Sequence, residues 1–446
     1  MKSKLSLVIA LWVFCFGSTA GFAQDIEFSG GTATELGLFV QGEKAGHFSN
    51  ARQSVMGNLD VRFDSCRVYI QGLLEFDGIK AFNGDRFSLT NGLTASLQEA
   101  YFTWTSNDFG PSLNFSTTIG RQLISFGKAD GISITDAVFP KRLDAISFSP
   151  LDASKLHLDA WKFSLGGMIF NFDIIYQPFF TATSLPLSEG NELKKHLIPE
   201  SVSLPGLTNA IGINVGSLKQ PELKFINGNV ASVLSFYLPR VDFSFYGWYG
   251  FDTVPVLNYV PEMTTPPIPD AITVNGDYQR YGLLGFDAAL PISQVVLRFE
   301  TAYSIAKALQ VDAVKILQGE KHFERKHLLK MLLGLDWTYK GLTLTTQYYG
   351  DVVFGGIEQL TRKRYEHGTT LSLSYAFLQD TLSFGVNYAI NWNEFDSFLR
   401  ANMSYDLTDA ISLGLSYSGF FPGKSQGEYG RYKDLSDVKL EAVFRW

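Results

Sequence analysis

What most limits the fold of this chain is the spacing of its turns. Short segments alternate apolar and polar residues: Leu371, Leu373, Tyr375 and Phe377 against Ser372, Ser374 and Ala376, and Ile411, Leu413, Leu415 and Tyr417 against Ser412, Gly414, Ser416 and Ser418. A period of two puts the two sets on opposite faces of a β-strand. The connections alternate as well. Tight ones fall at Asp64-Ser65, Pro239-Arg240, Pro291–Ser293, Tyr339–Gly341, Leu378–Asp380 and Leu407–Asp409. Long ones intervene at Asp77–Gly92, Ser125–Ala153, Pro178–Leu207, Asp252–Gly276 and Ala306–Lys326, with one short exception near Asn393–Phe395. A β-sandwich gives no reason for this alternation, whereas a membrane barrel has short turns at one rim and long loops at the other.

The reading is therefore all-β: a single transmembrane antiparallel β-barrel with short periplasmic turns and long extracellular loops. About eighteen strands are expected, from Ile26–Val40 to Ser436–Trp446, and sixteen remain possible. The weakest stretch is Thr208–Leu238, which reads as one strand carrying an insertion.

Side-chain sorting gives the physical test. Val241, Phe243, Phe245 and Tyr249, with Met168, Phe170, Phe172, Ile174 and Tyr176, are expected to face outward. The charges fall on the opposite parity: Asp173, Asp242, Asp287, Arg298, Glu300 and Arg400 are expected to line the lumen, together with Asp60, Arg67, Glu75, Glu99, Asp159 and Lys330. A charge facing lipid at mid-membrane costs roughly 2–4 kcal/mol, whereas a wet lumen tolerates it. A barrel of this size is too wide for its own side chains to fill. Something must narrow it.

The stretch Gly120–Pro150 meets that need. It is charged in both signs and lacks the polar low-complexity character of an exposed connection, so residues 125–153 are expected to fold into the lumen as a constriction. The candidate solute-contacting residues are Arg121, Gln122, Lys128, Asp130, Asp136, Lys141, Arg142 and Asp144. A guanidinium grips a carboxylate with two hydrogen bonds, and opposed charges can orient a dipolar solute. The plainer reading is a set of ion pairs pinning the segment to the wall. Strict parity puts Arg121 outward and Gln122 inward unless Gly120 hosts a bulge.

Gly120, Arg121, Gln122, Phe126, Gly127, Asp130, Asp136 and Pro140 together resemble a stretch of the porin-like outer-membrane barrels of the alginate-export and related families. Trp446, closing an alternating strand after Val438, Leu440, Ala442 and Phe444, resembles the terminal aromatic read by the barrel-insertion machinery. These resemblances imply a channel in the bacterial outer membrane. They do not name its solute.

The remaining sequence fits that expectation. Lys2 and Lys4, an apolar run over Leu5–Phe16, and Gly21 and Ala23 read as a signal peptide over residues 1–23, leaving 24–446 for the barrel. Cleavage there would leave Cys66 as the sole cysteine, so no internal disulfide is expected. The net charge of −7, with no cluster of Lys and Arg, argues against nucleic acid. Six scattered histidines suggest no metal, no cofactor is indicated, and no Gly-x-Ser-x-Gly motif supports an enzyme. The expected function is passive diffusion of small hydrophilic solutes. The alternatives are a surface adhesion or structural barrel and a rim-located enzyme. The inward positions are richer in Asp and Glu than in Lys and Arg, which predicts mild preference for cations or neutral solutes. Flat outward faces are compatible with lipid or with neighbouring copies in a homo-trimer.

Overall fold

The computed structural model describes residues 25–83, 86–106, 112–132, 134–143, 155–187, 191–202, 210–263, 269–424 and 427–446. The signal-peptide reading, over residues 1–23, and Asp144 lie outside them.

Eighteen antiparallel strands form one sheet: β1 (Asp25–Phe39), β2 (Phe48–Phe63), β3 (Cys66–Asp77), β4 (Leu93–Ser106), β5 (Asn114–Gln122), β6 (Leu158–Gly166), β7 (Phe170–Gln177), β8 (Asn229–Leu238), β9 (Val241–Phe251), β10 (Arg280–Ile292), β11 (Val295–Gln310), β12 (Phe323–Tyr339), β13 (Leu342–Phe354), β14 (Tyr365–Phe377), β15 (Leu382–Asn391), β16 (Asp396–Thr408), β17 (Ile411–Phe421) and β18 (Asp437–Arg445). Each pairs with its neighbours in sequence, and β18 pairs with β1 from Gly31↔Arg445 to Phe39↔Asp437. The sheet is thus closed and has no edge. At the seam the Trp446 N–H donates to the Gly30 carbonyl and the Gly30 N–H to the Trp446 carbonyl, both at 3.1 Å.

Turn lengths alternate as the sequence predicts, including the short exception between β15 and β16. Eighteen strands, not sixteen, is the count. Within the stretch read as one interrupted strand, only Asn229–Leu238 joins the barrel. Ile211–Lys219 leaves it because it finds a partner in the next long loop, pairing in parallel with Ala271–Asp277, which in turn pairs with Val256–Glu262. Two long loops thereby share a small sheet beyond the barrel rim.

The outward columns are apolar, with Ile174, Phe245, Tyr249, Leu284, Leu297 and Leu333 exposed. Aromatic rings collect at both ends of the wall: Trp104, Tyr339, Tyr405 and Trp446 toward the short turns, and Trp161, Tyr249, Phe354, Tyr365 and Phe421 toward the long loops. That is the girdle arrangement of a membrane barrel.

The main core lies inside the cylinder. Ile124, Phe126, Ile134, Val138 and Phe139 of the β5–β6 connection pack against inward residues of the wall, among them Leu158, Ala160, Ile175, Val233, Tyr246, Trp248, Leu283 and Leu332. This packing fixes which parity faces inward. It also shows that Ile124, Phe126, Ile134, Val138 and Phe139 lie along the inner wall of β6 to β12, while residues 144–153 of the expected constriction fall outside the described residues.

Candidate functional site: the inner loop and its wall

One buried carboxylate takes four of the loop's donors. Glu300 of β11 is 1% exposed, and its two oxygens accept four hydrogen bonds: Oε1 from the Thr135 N–H (2.7 Å) and hydroxyl (2.6 Å), Oε2 from the N–H groups of Lys128 and Ala129 (both 3.0 Å). Backbone donors in a loop have no ladder to satisfy them, and here one side chain does so.

The geometry explains the Phe-Gly pair of the sequence. Gly127 sits at φ +79°, and a Cβ there would lie 2.4 Å from Glu300 Oε1 and 2.5 Å from the Thr135 hydroxyl oxygen. Only glycine admits both the backbone conformation and the carboxylate. Phe126, the aromatic of the pair, packs edge-on to Phe139 (4.7 Å between centroids) and against Tyr246 (5.0 Å).

A second set of anchors flanks Glu300. The Gly127 N–H donates to the Tyr246 hydroxyl at 3.2 Å, and that hydroxyl donates to Asp287, which is wholly buried. Lys128 Nζ lies 3.4 Å from Asp287 and donates to the Asp242 carbonyl at 3.1 Å. Arg298 binds the Lys128 carbonyl (2.7 Å) and the Asp130 carboxylate (2.5 Å) while also pairing with Asp336 (2.5 Å). The Gln347 amide, turned so that both its atoms are satisfied, exchanges hydrogen bonds of 2.9 and 3.0 Å with the Asp130 backbone.

Asp136 closes the loop on itself: it accepts from the Phe126 N–H at 2.8 Å and faces Lys155 Nζ at 3.3 Å. Burial pushes the Asp136 carboxyl above its ordinary value and the Lys141 ammonium below its own, and their mutual attraction offsets part of each. Farther along, Arg142 reaches Glu75 of β3 at 4.0 Å, where Arg52 of β2 also lies within 3.6 Å. The loop therefore starts beside β4, where the Leu123 N–H binds Glu99 at 2.9 Å, and touches both the β11–β13 wall and β3.

The residues singled out in the sequence separate into groups. Lys128, Asp130 and Asp136 belong to the anchored loop, as do their wall partners Asp287, Arg298 and Glu300. Gln122 faces inward, 6% exposed, and donates to the Ala160 carbonyl at 3.2 Å. Asp173 is inward and within 3.4 Å of Lys162, and Arg400 projects from the inward parity of β16 opposite Asn387 and Ser418. Arg121 stands apart. Gly120 adopts φ +130°, yet the register with β4 and β6 runs through it without a shift, so parity holds. Arg121 lies on the face of Ile119 and Trp161, outside the lumen, bound to Asp159 at 2.9 and 3.0 Å and to the Leu97 carbonyl at 3.2 Å. Asp159, read from sequence as inward, sits outward with it.

Tyr246, Thr135, Lys155 and Gln347 were not legible as site residues. An inward Tyr in a barrel strand carries no mark distinguishing it from a girdle ring, and Gln347 gives no charge to notice.

No protein-family model matches the chain, and no curated protein matches its sequence. Solved structures do match. Pseudomonas aeruginosa OccK2 (OpdF), in complex with glucuronate, superposes with a TM-score of 0.53 at 9% identity over 95% of this chain and 99% of that one. Pseudomonas aeruginosa OccK1 (OpdK) gives 0.52 at 7% identity over 96% and 100%, and OpdK with vanillate gives 0.51 at 7% over 96% and 100%. The chain has the fold of these outer-membrane porins. The porin fold is shared over the whole length at an identity that says nothing of individual residues, so the inner-loop contacts above stand on this chain's own geometry.

Proposed function

We propose that the protein is a bacterial outer-membrane channel for passive diffusion of small hydrophilic solutes, with no enzymatic activity. The observation that carries this reading is the position of the inner loop: it is packed against the β6–β12 side of a closed cylinder, so the passage runs between the loop and the opposite, charged wall. Planar-bilayer recording of the refolded protein tests it. Stepwise, ohmic conductance is expected, and a barrel that inserts without conducting points instead to an adhesion or structural role.

Two of the matched porins were solved with carboxylates, glucuronate and vanillate. Lys330 favours a similar solute class here. It projects inward from β12 beside Asp351, and Asp351 is itself engaged by Arg362. Among the described residues no carboxylate lies within ion-pair distance of Lys330. Two of the inward acids that tilt the sequence count toward cations, Asp287 and Glu300, are occupied in holding the loop. Lys330→Gln is therefore expected to raise the cation-to-anion permeability ratio about twofold, read as a shift of reversal potential in a KCl gradient. An unchanged reversal potential removes Lys330 from the path.

Trp446 is proposed as the residue read by the insertion machinery. Trp446→Ala is expected to lower the amount of barrel inserted in cells severalfold while refolding from urea into detergent proceeds, because the seam bonds to Gly30 use only backbone atoms. Equal insertion in cells would refute the role.

A further inference from the structure

We infer that the outer wall above β8–β12 carries a binding site for an acylated, phosphorylated lipid of the outer leaflet. The proposal rests on the outer-membrane reading, since it takes the long-loop rim as the outward one.

Arg280 opens β10 at that rim, on the parity of Gly282 and Leu284, and therefore faces away from the lumen. Its guanidinium lies over the rings of Phe251 (4.2 Å) and Tyr249 (5.6 Å) and donates to the Ile226 carbonyl at 3.0 Å. Arg325 of β12 is also outward, on the parity of His327 and Leu333. It donates to the carbonyls of Arg280 (2.8 Å) and Ala306 (3.0 Å) and to Gln279 Oε1 (2.8 Å). Ala306 sits at φ +54°, within a bulge that shifts the β11–β12 register between Ser304 and Lys307. A non-glycine residue in that conformation is strained, and here it aims a carbonyl at an arginine.

Neither guanidinium has a carboxylate within ion-pair distance among the described residues. The nearby acids are engaged elsewhere: Asp277 with His322 (2.8 Å) and Gln279, and Glu222 with Lys224 (2.5 Å). Two permanent cations held by neutral acceptors on the lipid side of a barrel rim call for an anion, and a guanidinium binds phosphate oxygens two at a time.

Immediately below Arg280, three neighbouring outward positions carry a small side chain or none beyond the backbone. Ser232, Gly247 and Gly282, flanked by Val230, Tyr249, Leu284 and Ile305, leave a groove of about 240 Å³ in the wall. Beside it, the turn at Phe225–Asn227 is fastened to the outside of the barrel through Tyr176, whose hydroxyl donates to the Phe225 carbonyl at 2.5 Å. Leu223, Phe225 and Ile226 stand 66%, 73% and 84% exposed there. A headgroup cation pair, a groove running down the wall from it and an apolar turn alongside match the order of parts in one lipid: phosphate at the interface, chains below. The shared chemistry of inorganic phosphate accounts for the arginines alone.

The test uses the full barrel in phosphatidylcholine nanodiscs doped with dioleoyl phosphatidic acid, or with dioleoylglycerol, which has the same chains and no phosphate. Native mass spectrometry counts the dopant retained by the ejected barrel, and single-channel recording checks the same protein. Selective retention of phosphatidic acid is expected. Arg280→Gln with Arg325→Gln should weaken it about tenfold, as the loss of charge-assisted hydrogen bonds requires. Gly282→Leu should also weaken it by filling the groove, where a Cβ meets nothing closer than 3.8 Å. Conductance should be unchanged in both variants. Equal retention of dioleoylglycerol, full retention by the double variant, or displacement by millimolar inorganic phosphate would each overturn the site. Because retention is scored independently of conductance, failure of the lipid site and failure of the channel reading give different results.

Discussion

Glu300→Ala is expected to detach the inner loop from the wall and raise single-channel conductance severalfold, with the barrel itself intact. Four donors converge on this carboxylate, three of them backbone N–H groups. Each buried donor left without a partner costs about 1–3 kcal/mol, so the loop in its present place loses several kcal/mol. Of the charged anchors that remain, Arg298 on the exposed Asp130 is salt-screened, and Lys128 on the buried Asp287 does not satisfy the donors that Glu300 releases. The strands do not share the loss, because β11 keeps its register with β10 and β12 through backbone bonds. Glu300→Gln separates charge from shape: its amide nitrogen can face only donors on one side of the site, so a smaller rise is expected. Recording both variants beside the wild type, with limited proteolysis of the loop as an independent readout, checks the idea. A conductance unchanged by Glu300→Ala would mean that the loop is not what limits flow.

The second large effect lies on the other side of the wall. Phe286 faces outward midway along β10, among the rings of Phe245 (5.2 Å), Phe299 (6.1 Å) and Phe243 (6.4 Å). Phe286→Arg should destabilise the barrel by about 2–4 kcal/mol for the charge in hydrocarbon, plus about 0.5–1.5 kcal/mol for each aromatic pair it breaks. Ser416→Arg makes the same change of charge one face over: Ser416 faces inward beside Lys439 and Asn402, where water solvates a guanidinium. It should cost little. Urea unfolding of the two variants in lipid vesicles measures the difference, and similar losses for both would show that the columns do not sort lipid from water.

The barrel was legible in the sequence because both of its signals are local and repeated. Alternation with period two assigns every residue of a strand to a face, and the chain must supply a tight turn after one strand and a free length after the next. Neither signal needs a contact between distant residues, so a barrel of about eighteen strands, with sixteen as the alternative, and the faces of Phe245, Ile174 and Asp287 could be read directly. Parity was also the better guide at Arg121, whose charge suggested the lumen while its position in β5 put it outside with Asp159.

Tertiary structure alone decided what occupies the lumen and how. Glu300 is 165 residues from Thr135 in sequence, and nothing near either residue announces the other. The same holds for Ile211–Lys219, which has the pattern of a barrel strand but pairs with Ala271–Asp277 because that segment is brought to the same rim. Local alternation specifies which face a side chain takes. Which distant group meets it there depends on the closed cylinder bringing both to one place, and that closure is a property of the whole chain.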